Sequence, residues 1–136
     1  MPIELSIEKR DGYPRFDLTG KRVLGEFGPE MLGVWSRLAR EAERTGIELA
    51  LGVSHLTGPA RVADIYESAV AACRMMEGVP CKRVAIVIVG GGSALEENRL
   101  AETVAVSRGL TVRMFAAEPA ALEWLLLPDH GTRGAR

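Results

Sequence analysis

Residues 83–93, Arg-Val-Ala-Ile-Val-Ile-Val-Gly-Gly-Gly-Ser, decide how the chain is read. The apolar run Val84–Val89 has no polar alternation, the mark of a strand buried on both faces at the centre of a parallel sheet. It stops at Gly90, Gly91 and Gly92, followed by Ser93. A glycine-rich turn between strand and helix can cradle an anion on free backbone N–H groups, so these four residues are a candidate anion-binding turn. Neither common nucleotide template fits. A P-loop ends in Gly-Lys-Ser/Thr, whereas Gly92 precedes Ser93 directly; the dinucleotide fingerprint wants a glycine where Leu95 stands, and wants it on the first strand-to-helix turn. The structural alternative is a tight turn in which Ser93 and Glu96 form a capping box for the next helix.

Working outward, the pattern alternates. Ile3, Leu5 and Ile7 interleave with Glu4, Ser6 and Glu8, Asp11-Gly12 is a turn signal, and Phe16 and Leu18 alternate after it, which predicts an antiparallel hairpin. Thr19–Phe27 reads as an irregular connection with a short strand turn at Val23–Leu24. A helix is predicted over 29–45, opened by Pro29 and stopped by Gly46, with Met31, Val34, Trp35, Leu38 and Ala42 on one face. A strand from Ile47 to Val53 follows. The next helix is predicted from Pro59 to Glu77, with Val62, Ile65, Ala69, Cys73 and Met76 facing inward. Beyond the central strand, Leu100, Ala101, Val104 and Ala105 mark a third buried helix face, Thr111–Ala116 a further strand, and Pro119, Leu122 and Leu125 a last short helix. The order is therefore a β-hairpin followed by alternating helices and strands, an α/β domain with a mixed four- or five-stranded sheet covered by helices.

Composition narrows the function classes. The 136 residues form one domain, with 47% hydrophobic and 26% charged residues and a net charge of −1. No basic stripe recruits nucleic acid, and no apolar run is long enough to span a membrane. The N-terminus lacks the basic and apolar regions of a signal peptide, so a cytoplasmic protein is expected. Cys73 and Cys81 have no metal-ligand spacing and read as small apolar fillers; no metal and no cofactor is called for. Residues 1–127 are expected to form the domain and 128–136, with His130, a disordered tail.

The segments Gly52-Val-Ser-His-Leu-Thr-Gly58, Lys82-Arg-Val-Ala-Ile-Val-Ile88 and Gly109-Leu-Thr-Val-Arg-Met-Phe115, with Ala121-Leu-Glu-Trp-Leu125 at the close, resemble the bacterial SpoIIAA-like proteins of the STAS/SEC14 class. The resemblance spans about residues 47–127. It implies a compact sheet backed by helices and, from STAS relatives, a regulatory module that binds a protein partner and is switched by phosphorylation of a serine or threonine. In those relatives the acceptor lies in Asp-Ser-Ser-Gly or Asp-Ser-Thr-Gly at a helix start. The corresponding turn here is Ser54-His55-Leu56-Thr57-Gly58, where Thr57-Gly58 matches the end of the motif and the aspartate is missing.

Ser54, His55, Thr57 and Gly58 are therefore the candidate phosphoacceptor or partner-binding turn, with Thr57 alternatively a simple cap for the second helix. His55 is a candidate general base, since imidazole as a group titrates near neutral pH, yet no nucleophile, orienting acid and oxyanion site are recognisable around it, and no catalytic residue is assigned. Glu96-Glu97 reads as first-turn charge on a helix, and Met75-Met76, Trp35 and Trp124 as core or interface. A non-enzymatic interaction module is the first reading. A small-ligand or lipid-binding module is the second, and a nucleotide enzyme at Gly90–Ser93 the third. Homodimerisation fits all three.

Overall fold

A computed structural model describes residues 3–90 and 92–127, the side chains of residues 92–94 excepted. The tail expected over 128–136 and the side-chain cap expected from Ser93 lie outside the described residues.

Among the described residues nine elements follow one another: β1 (Glu4–Arg10), β2 (Tyr13–Thr19), α1 (Phe27–Thr45), β3 (Leu49–Ser54), α2 (Val62–Met76), β4 (Arg83–Ile88), α3 (Gly92–Ser107), β5 (Val112–Phe115) and α4 (Glu118–Leu125). The five strands lie side by side in chain order. β1 and β2 are the antiparallel hairpin around Asp11-Gly12, with Arg10 opposite Tyr13, and β2 to β5 run parallel. When each parallel strand is placed beside the last in the same direction, right-handed crossovers put every connecting helix on one face. Accordingly α1, α2 and α3 pack in sequence over one face, and α4, which follows the last strand, covers the other against β3, β4 and β5.

Side-chain alternation divides the core between these layers. All six residues of β4 are buried, as the unbroken apolar run requires. Val84, Ile86 and Ile88 join the larger cluster beneath α1–α3, while Ala85 and Val87 join Leu51, Val53, Ala121 and Leu125 beneath α4. Arg83, buried at the start of β4, donates to the carbonyls of Trp124 and Leu127 at 3.1 and 2.5 Å and so closes the end of α4.

The boundaries differ from expectation in three places. α1 begins at Phe27, two residues before Pro29, and Phe27 is itself buried. Val23–Leu24 is turn rather than strand, and Lys21 instead forms an isolated bridge to Thr57. α2 starts at Val62, and Val62 is 73% exposed, because the inward stripe runs through Ile65, Ala69, Ala72 and Met76.

Phe16 of β2 lies opposite Gly52 of β3, and its ring occupies the space where a Gly52 side chain would stand. A Cβ on Gly52 would stand 2.6 Å from the ring of Phe16, which is 1% exposed and stacked edge-on against Trp35 at 6.4 Å. The ring can give way only toward the small cavity it borders on the α1–α3 face, at the cost of its contact with Trp35. Gly52→Ala is expected to lower unfolding free energy by about 1–3 kcal/mol, and the double variant with Phe16→Leu to lose less than the two changes sum to, as read by denaturant unfolding. A neutral Gly52→Ala would contradict this packing.

Candidate functional site

The candidate turn Ser54–Gly58 emerges from the carboxyl end of β3, where ligands gather in open parallel sheets. It is held against the chain leaving β2. His55 N–H donates to the Leu18 carbonyl at 2.8 Å, Thr57 N–H to Gly20 at 3.1 Å, and Arg22 N–H to Thr57 at 2.7 Å. The Arg22 side chain adds two bonds from Nε and Nη2 to the Gly58 carbonyl, at 3.0 and 2.5 Å. Gly58 has φ +89°, and a Cβ there would lie 2.7 Å from the Arg22 carbonyl. Only glycine fits both demands.

Alternation sends the turn's side chains to opposite faces. Ser54, paired with Leu18, faces the α1–α3 layer and lines a cavity there. His55 turns to the α4 face, where Nε2 lies 3.1 Å from Asp17 Oδ2. Asp17 accepts from Arg15 Nε at 2.9 Å, and Arg15 Nη1 reaches both carboxylate oxygens of Glu118 at 2.9 Å. The Arg15 hydrogen bond, supported by His55, holds the Asp17 carboxyl below its ordinary range, and Asp17 in turn raises Arg15. The chain His55–Asp17–Arg15–Glu118 fastens the turn and β2 to α4. Because Ser54 and His55 are on different faces, they do not make a nucleophile and base.

Thr57 is exposed and does not cap α2, contrary to one expectation: the helix begins five residues later. Its hydroxyl lies 3.4 Å from the Gly20 carbonyl. The cap is Asp64, fully buried, whose carboxylate accepts from the backbone N–H groups of Arg61 and Gly25 at 3.0 and 3.2 Å and from the Arg61 guanidinium. These bonds, the Arg61 side chain first, hold its carboxyl down at about 2.

At the other candidate turn, Gly90 has φ +130° and α3 begins at Gly92; Gly91 and the Ser93 side chain lie outside the described residues. Glu96 and Glu97 sit beyond the first turn of α3, not within it as expected. Glu97 accepts from Arg22 Nη2 at 3.1 Å. Cys73 and Cys81 border the core, half-buried, and burial raises both thiols, Cys81 to about 11. Among the described residues no three His, Cys, Asp or Glu side chains cluster as metal ligands, and no helix is long and apolar enough to cross a membrane.

The cavity beside Ser54 measures about 70 Å³. Phe16, Leu18, Ile86, Ile88 and Met114 of the sheet form its floor, and Phe27, Met31, Val34 and Trp35 of α1 one wall. Opposite them α2 and α3 offer Ala69, Ala72, Ala101 and Ala105, whose single carbons leave the space unfilled. Arg22, Leu56, Val89 and Asn98 border it beyond the carboxyl ends of the strands.

No protein-family model and no curated protein matches the chain. Among solved structures it is similar to an uncharacterised protein of the DUF3478 family with a SpoIIAA-like fold from Shewanella loihica PV-4, at 22% identity, covering 91% of this chain and 94% of that one with a TM-score of 0.52. The protein thus has a SpoIIAA-like α/β fold, as its closing motifs led one to expect.

Asp64 has its pKa depressed on folding, so the stability it contributes is complete above its ordinary value near 4 and is lost as pH falls toward 2. Asp64→Asn should therefore flatten the decline in unfolding free energy between those limits in an acid titration. Thr57→Ala should shift stability by no more than about 0.5 kcal/mol, whereas a cap residue would cost about 1 kcal/mol.

Proposed function

We propose that the protein is a non-enzymatic, STAS-like regulatory module that binds a protein partner through the Ser54–Gly58 turn and is switched by phosphorylation of Thr57. The observation that carries this reading is the clamped turn itself. Its backbone is bonded to residues 18–22 while the Thr57 side chain is exposed, so a partner meets a preformed surface with little ordering cost. Lys21 stands beside Thr57 across the isolated bridge, and a phosphoryl group on the hydroxyl gains that cation as a neighbour. Ser54 is the poorer acceptor, since it is half-buried and faces the cavity.

Mass spectrometry of the protein purified from its own host is expected to show one phosphate, mapped to Thr57, and Thr57→Glu to change the affinity of any co-purifying partner at least about tenfold, a switch-sized coupling. An unmodified chain whose partner binding ignores Thr57→Glu would overturn the switch.

A second reading, small-ligand binding, is favoured by the cavity. Folded interiors hold few voids larger than a water molecule, and this one borders Ser54 and Arg22 of the same site.

A further inference from the structure

We propose that the cavity takes the aliphatic end of a small organic carboxylate whose anionic head is held by Arg22. The proposal rests on the ligand-binding reading and gives it a chemical class.

Space sets the tail. A void of about 150 Å³ lined by apolar side chains holds benzene, and about 70 Å³ is half of that. A short, unfunctionalised alkyl chain fits, and an aromatic ring does not without rearrangement. On α2 and α3 the four alanines offer such a chain only apolar contact, with Ser68 of α2 and Asn98 of α3 the polar residues on those walls.

Charge sets the head. Arg22 is the one cationic side chain among the described lining residues, and its side chain is 11% exposed. Nε and Nη2 are committed to Gly58 and Glu97, which fixes the guanidinium plane; Nη1 makes no hydrogen bond among the described residues. A positioned guanidinium edge beside an apolar void is built for a carboxylate attached to a hydrocarbon. Trp35, 5% exposed and also lining the cavity, has no hydrogen-bond partner for its Nε1 hydrogen among the described residues, so an acceptor that reached it would find a free donor. Glu97 is already on Arg22 and competes for its charge. The resident carboxylate therefore weakens binding, and a change that removes Glu97 strengthens it.

Titration of the full chain with pentanoate and with 1-pentanol, read by the Trp35 indole N–H resonance, tests the assignment. Pentanoate is expected to saturate in the millimolar range and to bind at least about tenfold tighter than the alcohol, as loss of a charge-assisted bond implies. Arg22→Gln should abolish that preference, and Glu97→Gln should improve pentanoate binding by up to about fivefold. Ala72→Val, which fills the void, should weaken both ligands while circular dichroism reports a folded chain. Equal binding of pentanoate and pentanol to the wild type would overturn the role of Arg22 and leave the cavity as a binding site. Binding of neither would overturn the cavity reading as well.

Discussion

Parallel pairing of β2 with β3, carried past the ends of both strands, is the constraint on which the rest of this site depends. The ladder ends formally at Leu18 and Ser54, yet its hydrogen bonds continue through His55, Thr57 and Arg22. The continuation gives the turn a fixed backbone without a helix to support it. It also fixes Arg22, whose position follows from the Thr57 bond and whose side chain then reaches Gly58, Glu97 and the face of Phe27 at 5.7 Å. One residue thus joins the exposed turn, α3 and the cavity.

That arrangement bears on how a switch would work. Thr57 is tied to Arg22 through its backbone carbonyl, and the next carbonyl, that of Gly58, holds the Arg22 side chain, so a charge change on Thr57 would act on Arg22 through that shared backbone. The Arg22–Glu97 pair is only partly exposed, the Arg22 side chain at 11% and that of Glu97 at 36%. On the other face, His55, Asp17, Arg15 and Glu118 anchor the turn to α4 and keep the two strands in register. The turn is thus held by charged side chains on both faces, to α3 through Arg22 and to α4 through His55.

Much of the fold was legible from local pattern. The uniform apolar run of β4 announced burial on two faces, the period of Ile3, Leu5 and Ile7 the hairpin, and Gly46 the end of α1. What pattern missed was long-range. Nothing near Thr57 in sequence reveals that its partners are Gly20, Lys21 and Arg22, and its place before a helix suggested a cap that Asp64 in fact supplies. Val62 satisfied the helical period but lies in the first turn, where the approach to the sheet has not begun. Arg22 and Asp17 carried no motif at all. Their roles come from the strand order, which places the chain after β2 beside the chain after β3. The cavity was equally hidden, because alanines at 69, 72, 101 and 105 look like ordinary core until the sheet opposite them is known.

Hydrogen exchange at the backbone amides of His55, Thr57 and Arg22 tests the preformed turn most directly, since each is a donor in the extended ladder. Protection comparable with that of Gly52 and Val53 within β3 is the result this account predicts. Exchange at the rate of an unstructured loop, with β3 itself protected, would contradict it and remove the rigid surface from which both the partner site and the placement of Arg22 are argued.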